Sequence, residues 1–190
     1  KNENKLIQSE HNHRVIFENS PLGMIRFSPD GTIIDLNEKF VSMMGSTREK
    51  LLGFNTAKQS SPLMQKAVKK ALNGEKSTYE DKYTSVTGNK TIDMRVRFNP
   101  VTPDENETEV IATLEDITIG KNAERESKEN EKRLKTIFDS AQSGIMLVDA
   151  ENHTILDINP AGAEMMGRTP DDIIGKICHG VICPNQEGSC

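Results

Sequence analysis

The amino-acid sequence predicts an α+β protein in which helices cover one face of an antiparallel β-sheet. The order of the predicted elements leads to this prediction: two short strands, then helices, then three longer strands over the first 118 residues. In the middle one of the three longer strands, apolar residues alternate with polar ones, which predicts one buried and one exposed sheet face. The apolar residues of this pattern are Ile92, Met94, Val96 and Phe98.

Length, charge and cysteine content exclude several classes of protein. The chain has 190 residues, enough for one ordinary domain or two small ones. It has no apolar run of the roughly 18 to 20 residues that cross a bilayer, so no membrane contact is expected for this fragment. A net charge of −5 without a basic stripe argues against a nucleic acid as partner. Three cysteines cannot form a disulfide framework, which predicts a cytoplasmic location.

The sequence contains an internal repeat. The stretch 16–24 resembles 137–145, and 32–37 resembles 154–159. A Met-Met-Gly triplet follows in both copies, at 43–45 and 165–167. The triplet alone would indicate only a helix core with a glycine cap, but a match over roughly forty positions indicates two copies of one domain.

Each element of the first copy has a local sequence signal. An entry helix ends near Phe17, and the Asp30-Gly31 turn joins two strands as a hairpin. Asn37 is placed to cap the next helix, which Gly45 ends. The helices after the hairpin are predicted over 38–44, 47–52 and 62–73. The strands are predicted over 23–28, 32–36, 77–86, 90–100 and 108–117, with a polar loop over 103–106.

These motifs resemble those of a known family. Residues 16–53 and their copy are similar to the start of a PAS domain, and Glu115-Asp116-Ile117-Thr118 resembles the Asp-Ile-Thr motif that ends PAS domains. The resemblance covers nearly the whole chain, as a tandem repeat. It implies a five-stranded antiparallel sheet in the order 2-1-5-4-3 with helices on one face. It also implies a sensory or dimerising role ahead of an output domain, often a histidine kinase of a two-component system.

The second copy is truncated. It reaches only into its long helix, so the sequence given lacks the three closing strands. An isolated two-stranded hairpin is marginally stable in water. We therefore expect the natural chain to continue beyond Cys190, or another chain to complete this half-domain.

The predicted organisation has three parts. A PAS domain with an N-terminal helix covers 1–118, a signalling or linker helix covers 119–136, and the N-terminal part of a second PAS domain covers 137–190. The linker holds acid–base pairs four residues apart, which favour a helix. A seam of small, polar and apolar residues, with Asn130 at a core position, favours a weak coiled coil and a homodimer through the flanking helices. A solvated helix without a partner is the alternative. The seam consists of Ala123, Ser127, Asn130, Leu134, Ile137 and Ala141.

The resemblance also implies a cavity between the sheet and the helices, for an unidentified small ligand. The residues predicted to line it are Phe40, Met44, Phe54, Met64, Tyr79 and Met94. Ordinary core packing is the alternative, because methionine fills gaps in cores more often than it marks a ligand. Flavin-binding and haem-binding PAS domains carry a cysteine motif or a histidine on the long helix. The first copy has neither, so neither cofactor is expected.

A cysteine cluster ends the sequence. Cys178, Cys183 and Cys190 fall within its last thirteen residues. Clustered thiols in a reducing compartment suggest zinc or an iron–sulfur cluster. Their spacing matches no common metal motif, so free or redox-active thiols are the alternative.

We interpret the chain as the sensory and dimerisation region of a cytoplasmic signal-transduction protein, such as a sensor histidine kinase. Small-molecule or redox signals would pass through the linker helix to a downstream output domain. Asp116 and Thr118, with Thr118 as the helix N-cap, are the predicted relay residues. No catalytic residue is predicted, because the sequence has no phosphate-binding loop and no nucleophile beside a base. A metal or thiol redox module built on the cysteines and the PAS region of a transcriptional regulator are the alternatives.

Overall fold

The structure is a computed structural model that describes residues 2–104 and 107–182, and the side chains of 8–102 and 107–182. The chain divides into two compact units, 1–122 and 123–190, which are described separately. The first unit consists of α1 (Asn2–Glu18), β1 (Gly23–Phe27), β2 (Ile33–Leu36), α2 (Glu38–Met44), α3 (Arg48–Leu51), α4 (Thr56–Gln59), α5 (Pro62–Leu72), β3 (Ser77–Thr84), β4 (Thr91–Asp104) and β5 (Glu107–Asp116). The helix α6 (Thr118–Ser140) begins in the first unit and continues into the second.

The five strands of the first unit form one antiparallel sheet in the order β2-β1-β5-β4-β3, which confirms the predicted topology. The predicted alternation along β4 is confirmed, because Ile92, Met94, Val96 and Phe98 are all buried. Phe98 packs against Phe27 of β1, with ring centroids 6.2 Å apart. The apolar core therefore lies between this face of the sheet and the helices α2 to α5.

The local signals around α2 are also confirmed. Asn37 caps the helix, since its side chain accepts a hydrogen bond from the amide of Phe40, and Gly45 ends it in the left-handed conformation at φ 59°. The helical turn α4 has no periodic pattern and was not predicted. Contacts distant in sequence hold it in place: the amide of Thr56 donates to the carbonyl of Gly31, and Asn55 forms a bridge with Thr32.

Two boundaries differ from the prediction. The strand β4 continues to Asp104, where a loop over 103–106 was predicted, because Asp104 pairs with Glu107 and extends the ladder. The helix α6 begins at Thr118 itself, so the prediction that Thr118 is the N-cap is wrong. The carbonyl of Ile117 accepts the hydrogen bond from the Lys121 amide, which places Ile117 at the cap position.

The second unit repeats the beginning of the first. Besides part of α6 it contains β6 (Met146–Val148), β7 (Ile155–Ile158), α7 (Pro160–Met166), α8 (Pro170–Ile173) and α9 (Cys178–Ile182). Met146 of β6 pairs with Ile158 of β7, as Ile25 of β1 pairs with Leu36 of β2. The strand register shifts just before Val148 in the second unit and at the equivalent place, just before Phe27, in the first. The predicted duplication is therefore a structural one.

The core of the second unit is small. Its buried apolar residues are Ile155, Ile158, Ala163 and Ile173. Met165 is 77% exposed, whereas its counterpart Met43 is 4% exposed beneath the complete sheet of the first unit. Among the described residues, no helix combines the length and the apolar composition needed to span a bilayer.

Candidate functional site

The first unit contains a cavity between the buried face of the sheet and the helices. It offers about 40 Å³ to the centres of water-sized molecules, which is room for one or two waters. Strands β1 to β5 and helices α2, α3 and α5 contribute to its wall, together with the segments around α4 and the β3–β4 turn. The lining residues are Ile25, Phe27, Ile33, Phe40, Met44, Leu51, Phe54, Thr56, Met64, Tyr83, Ser85, Val86, Thr87, Met94, Val96, Phe98 and Leu114.

Five of the six predicted pocket residues line this cavity: Phe40, Met44, Phe54, Met64 and Met94. The sixth, Tyr79, is buried but lies outside it and packs edge-on against Tyr83, with ring centroids 6.3 Å apart. The cavity extends only under the C-terminal part of β3, and Tyr79 lies four residues before Tyr83, about 13 Å along a strand.

The β3–β4 turn was missed as part of the site, because the sequence shows it only as a turn signal. Ser85, Val86 and Thr87 line the cavity from this turn. The turn lies directly against the end of α2, since a Cβ on Gly88 would come within 2.1 Å of the Met44 carbonyl oxygen. The Nζ of Lys90 donates to the carbonyl of Ser42 at 3.2 Å. The turn therefore closes one side of the cavity.

Two polar side chains of the cavity wall, those of Tyr83 and Ser85, already have hydrogen-bond partners. The hydroxyls of Tyr83 and Ser60 are hydrogen-bonded at 2.9 Å, and Ser85 Oγ accepts from the Gly88 amide at 3.1 Å. Burial raises the pKa of Tyr83, and the bond to Ser60 opposes this in part. Thr87 Oγ1 is buried without a hydrogen-bond partner. A buried hydroxyl left unpaired costs free energy, so a ligand that bonded to it would gain affinity.

The predicted relay residues meet at the start of α6. Asp116 Oδ1 accepts a hydrogen bond from the Thr118 amide at 3.0 Å. Thr118 Oγ1 accepts from the Asp93 amide at 2.9 Å, and the Asp93 carbonyl accepts from the Ile117 amide at 2.9 Å. Thr118 and the Ile117 amide therefore fix the start of α6 to Asp93 of strand β4, next to the cavity-lining Met94, whereas Asp116 holds the turn between β5 and α6.

Ion pairs reinforce this junction on the outer face of the sheet. Glu80 of β3 pairs with Arg95 of β4 at 2.8 Å and with Lys121 of α6 at 3.0 Å, and Arg95 also pairs with Glu115 of β5. The hydrogen bond from Arg95, followed by that from Lys121, lowers the pKa of Glu80. Three strands and the first turn of α6 are thus connected by one set of charges.

Asn37 connects the entry helix to the sheet. Its side-chain oxygen accepts from the amides of Met24 and Phe40, and its Nδ2 donates to the carbonyls of Phe17 and Leu22, all at 2.9 to 3.0 Å. The side chain is fully buried. The sequence predicted its capping role but not its bonds to the end of α1.

Asn159 repeats this arrangement in the second unit. Its oxygen accepts from the amides of Ile145 and Gly162, and its Nδ2 donates to the carbonyls of Phe138 and Ser143. Phe138 belongs to the last turns of α6. The side chain of Asn159 therefore holds the end of α6 as Asn37 holds the end of α1.

Of the predicted cysteine cluster, only Cys178 lies within the described residues. It is a free, partly buried thiol on α9 that packs against the small core of the second unit. Cys183 and Cys190 lie outside the described residues. Within the part of the chain that the structure describes, no group of three or more His, Cys, Asp or Glu could hold a metal ion. The metal or redox role stays a prediction.

Several solved structures are similar to this chain, and the first one named here supports the fold. The PAS domain of an HTR-like protein from Haloarcula marismortui is 24% identical, with a TM-score of 0.51 over 61% of this chain and 98% of that one. A PAS domain from Colwellia psychrerythraea is 17% identical, with a TM-score of 0.48 over 57% and 96%. A domain of a sensory box sensor histidine kinase/response regulator from Geobacter sulfurreducens is 16% identical, with a TM-score of 0.49 over 58% and 96%. A search of curated proteins found no match.

Sequence-family comparison identifies both copies. Two family models described as PAS domain match the chain, one over residues 21–118 and the other over residues 132–189. The first match contains the five-stranded sheet and its cavity. The second match contains the end of α6 and the elements β6 to α9. The chain belongs to the PAS domain family, with a second copy that is truncated in this sequence.

Proposed function

We propose that the first PAS domain detects a small uncharged molecule in its cavity and passes the signal through α6 to the second copy. PAS domains are sensory, non-catalytic modules, so family membership supports a sensory role. The proposed setting is a cytoplasmic signal-transduction protein, such as a sensor histidine kinase, with an output domain downstream.

One observation carries this proposal: the cavity wall and the start of α6 share adjacent residues of one strand. Met94 lines the cavity, and the backbone of Asp93 next to it holds Thr118 and Ile117 by hydrogen bonds. A ligand that shifted Met94 would therefore shift the anchor of α6. Such a shift requires the ligand to bind one arrangement of the strand more tightly than the other.

The cavity wall indicates the chemical class of ligand. None of the described residues that line it carries a charged side chain, so a carboxylate or an ammonium would be desolvated there without a counter-charge. Thr87 Oγ1 offers one unfilled hydrogen-bonding position. The chemistry of this wall favours a small apolar molecule with one hydroxyl or carbonyl group. The side chains of Met44, Met64 and Met94 would have to shift to admit any molecule larger than one or two waters.

Methionine methyl NMR on the full chain tests this proposal. Met44, Met64 and Met94 line the cavity, and the exposed Met165 is an internal control. We expect isobutanol to shift the three cavity signals and isobutyrate, its charged analogue, to shift none. We also expect isobutanol to change hydrogen exchange at the first turn of α6. Equal shifts with both compounds, or unchanged exchange at α6, would contradict the proposal.

We further propose that the protein forms a homodimer through its flanking helices. The α6 seam leaves Leu134 and Ile137 exposed at 67% and 57%, and Ile16 of α1 is 69% exposed. Light scattering on the Leu134→Glu/Ile137→Glu variant tests this, with the exposed Leu52→Glu as the control. The wild type and the control should be dimers and the double variant a monomer. A dimeric double variant would exclude the seam.

A further inference from the structure

The strand β3 has one unpaired edge. It is the last strand of the sheet and pairs only with β4 among the described residues. The opposite outer strand, β2, is covered, because the Ile33 amide donates to the Phe54 carbonyl and the Gly53 amide donates to the Ile33 carbonyl. The two edges of the sheet are therefore not equivalent, and only β3 can accept a further strand.

The hydrogen-bond register shows which backbone groups face this free edge. Ser85 is a hydrogen-bonded partner of Lys90, so alternate residues of β3 point their N–H and C=O groups away from β4. These residues are Thr78, Glu80, Lys82 and Thr84. The Lys82 amide donates to Asp81 and its carbonyl accepts from the Tyr79 hydroxyl, which blocks that position. The open stretch is therefore the N-terminal part of β3, around Thr78 and Glu80.

Positive charge is concentrated beside this open stretch. Five lysines and one acidic residue occur between residues 58 and 76. A groove between α5 and β3 has Lys66, Lys70, Lys76 and Arg97 in its wall, with the 60% exposed Leu63. Lys66, Lys76 and Arg97 form no ion pair among the described residues. The same wall contains two acidic residues: Glu80 is already paired with Arg95 and Lys121, and Asp81 Oδ1 accepts a hydrogen bond from the Lys82 amide.

From this juxtaposition we infer that the α5–β3 groove binds an acidic polypeptide segment, which adds to the sheet as a strand beside β3. The free backbone groups of Thr78 and Glu80 would supply main-chain hydrogen bonds, and the cations of the groove would select acidic side chains. The backbone edge favours a peptide over a nucleic acid or an anionic membrane, because only a peptide has amides at the matching spacing. This inference goes beyond the proposed function and does not depend on a cavity ligand.

Fluorescence polarisation with designed peptides tests the inference on the full chain. The probe is a labelled (Glu-Thr)4 peptide, and the controls are (Gln-Thr)4, (Lys-Thr)4 and a (Glu-Thr)4 peptide with alternate amides N-methylated. We expect binding of (Glu-Thr)4 that weakens with salt, and at least tenfold weaker binding of each control. Lys66→Glu/Lys70→Glu should weaken binding at least tenfold. Lys39→Glu/Lys50→Glu, an equal charge change on α2 and α3, should leave it unchanged.

Amide NMR locates the site and separates the remaining outcomes. The bound peptide should slow hydrogen exchange at Thr78 and Glu80 while leaving β2 unaffected. The inference would be overturned in favour of nonspecific anion binding by either of two results. One is that the N-methylated peptide binds as tightly as (Glu-Thr)4, and the other is that heparin and phosphatidylserine vesicles do. Self-association that Lys66→Glu/Lys70→Glu abolishes, without peptide binding, would overturn it in favour of a second copy of the chain.

Discussion

Replacing Asn37 should destabilise the first unit more than its small side chain suggests. The Asn37→Ala substitution removes a fully buried side chain with four hydrogen bonds, two accepted and two donated, and all four partners are backbone groups. Loss of an N-cap alone costs about 1 kcal/mol, and each buried group left unpaired costs about 1 to 3 kcal/mol. Because water can enter the space and satisfy part of these groups, we expect a loss of about 3 to 5 kcal/mol.

Two further substitutions separate the two roles of Asn37. Asn37→Ser keeps a capping oxygen but loses the bonds to Phe17 and Leu22, so we expect roughly half of the alanine effect. Asn37→Asp keeps both accepted bonds but places a carboxylate against two carbonyl oxygens. Burial and the two facing carbonyl oxygens disfavour the charged form more than the two retained amide bonds favour it, so we expect the pKa of the new carboxyl to lie above its unfolded value of about 3.9. The stability of this variant should therefore be lowest above the folded pKa and should recover as the pH falls.

Tyrosine fluorescence during urea unfolding of the full chain measures these effects. The chain has two tyrosines and no tryptophan, and Tyr79 and Tyr83 both lie in the first unit, so the signal reports on that unit alone. Asn159→Ala in the second unit is the matched control and should leave the transition unchanged. An Asn37→Ala curve within about 0.5 kcal/mol of the wild type would refute the reasoning, because independent surface changes have effects of that size.

Four further predictions use the same fluorescence assay. Thr87→Val should raise the free energy of unfolding by about 1 kcal/mol, because it removes a buried hydroxyl that has no partner; a loss of stability would show that Thr87 Oγ1 is satisfied. Gly88→Ala should cost about 2 kcal/mol or more, because its Cβ would collide with the Met44 and Gly45 carbonyls; Gly120→Ala, with open space around its Cβ, should instead stabilise the start of α6 by roughly 1 kcal/mol. The ion pairs of Glu80 lower the pKa of its carboxyl below the ordinary value of 4.5. The carboxylate therefore stabilises the fold at pH values above 4.5, and this stabilisation is lost as the pH falls through the lowered pKa of the folded protein. The difference between the wild type and Glu80→Gln should shrink accordingly between pH 7 and pH 3, and a constant difference would exclude this charge effect.

Local sequence signals predicted the elements of the fold, and the family resemblance predicted the strand order. Alternation along β4, the cap at Asn37 and the glycine at position 45 each reflect one segment, and all are confirmed. The helical turn α4 was missed because its bonds to Gly31 and the bridge between Thr32 and Asn55 join residues more than twenty positions apart. No local pattern encodes such a contact.

The candidate site was only partly predictable for the same reason. Burial and residue type identified five cavity residues, but position along the strand decided that Tyr83, and not Tyr79, lines the cavity. The role of the β3–β4 turn depends on its close approach to α2 at Gly88. That approach follows from how the hairpin packs, which the turn residues alone do not specify.

Comparison of the two copies separates the residues that the backbone geometry requires, here called the framework, from side-chain contacts that only one copy makes. Positions that the backbone geometry requires are the same in both: the buried Asn37 and Asn159, and the left-handed Gly45 and Gly167. Specific side-chain contacts differ, since Arg48 pairs with Glu18 and Glu38 in the first unit and its counterpart, Pro170, forms no ion pair. The conserved framework fixes how an entry helix joins each sheet. At both ends of α6 the junction consists of side-chain hydrogen bonds to backbone groups, from Thr118 at its start and from Asn159 at its end. Because every residue has a backbone, these junctions do not depend on a matching charged side chain, as the ion pairs of Arg48 do.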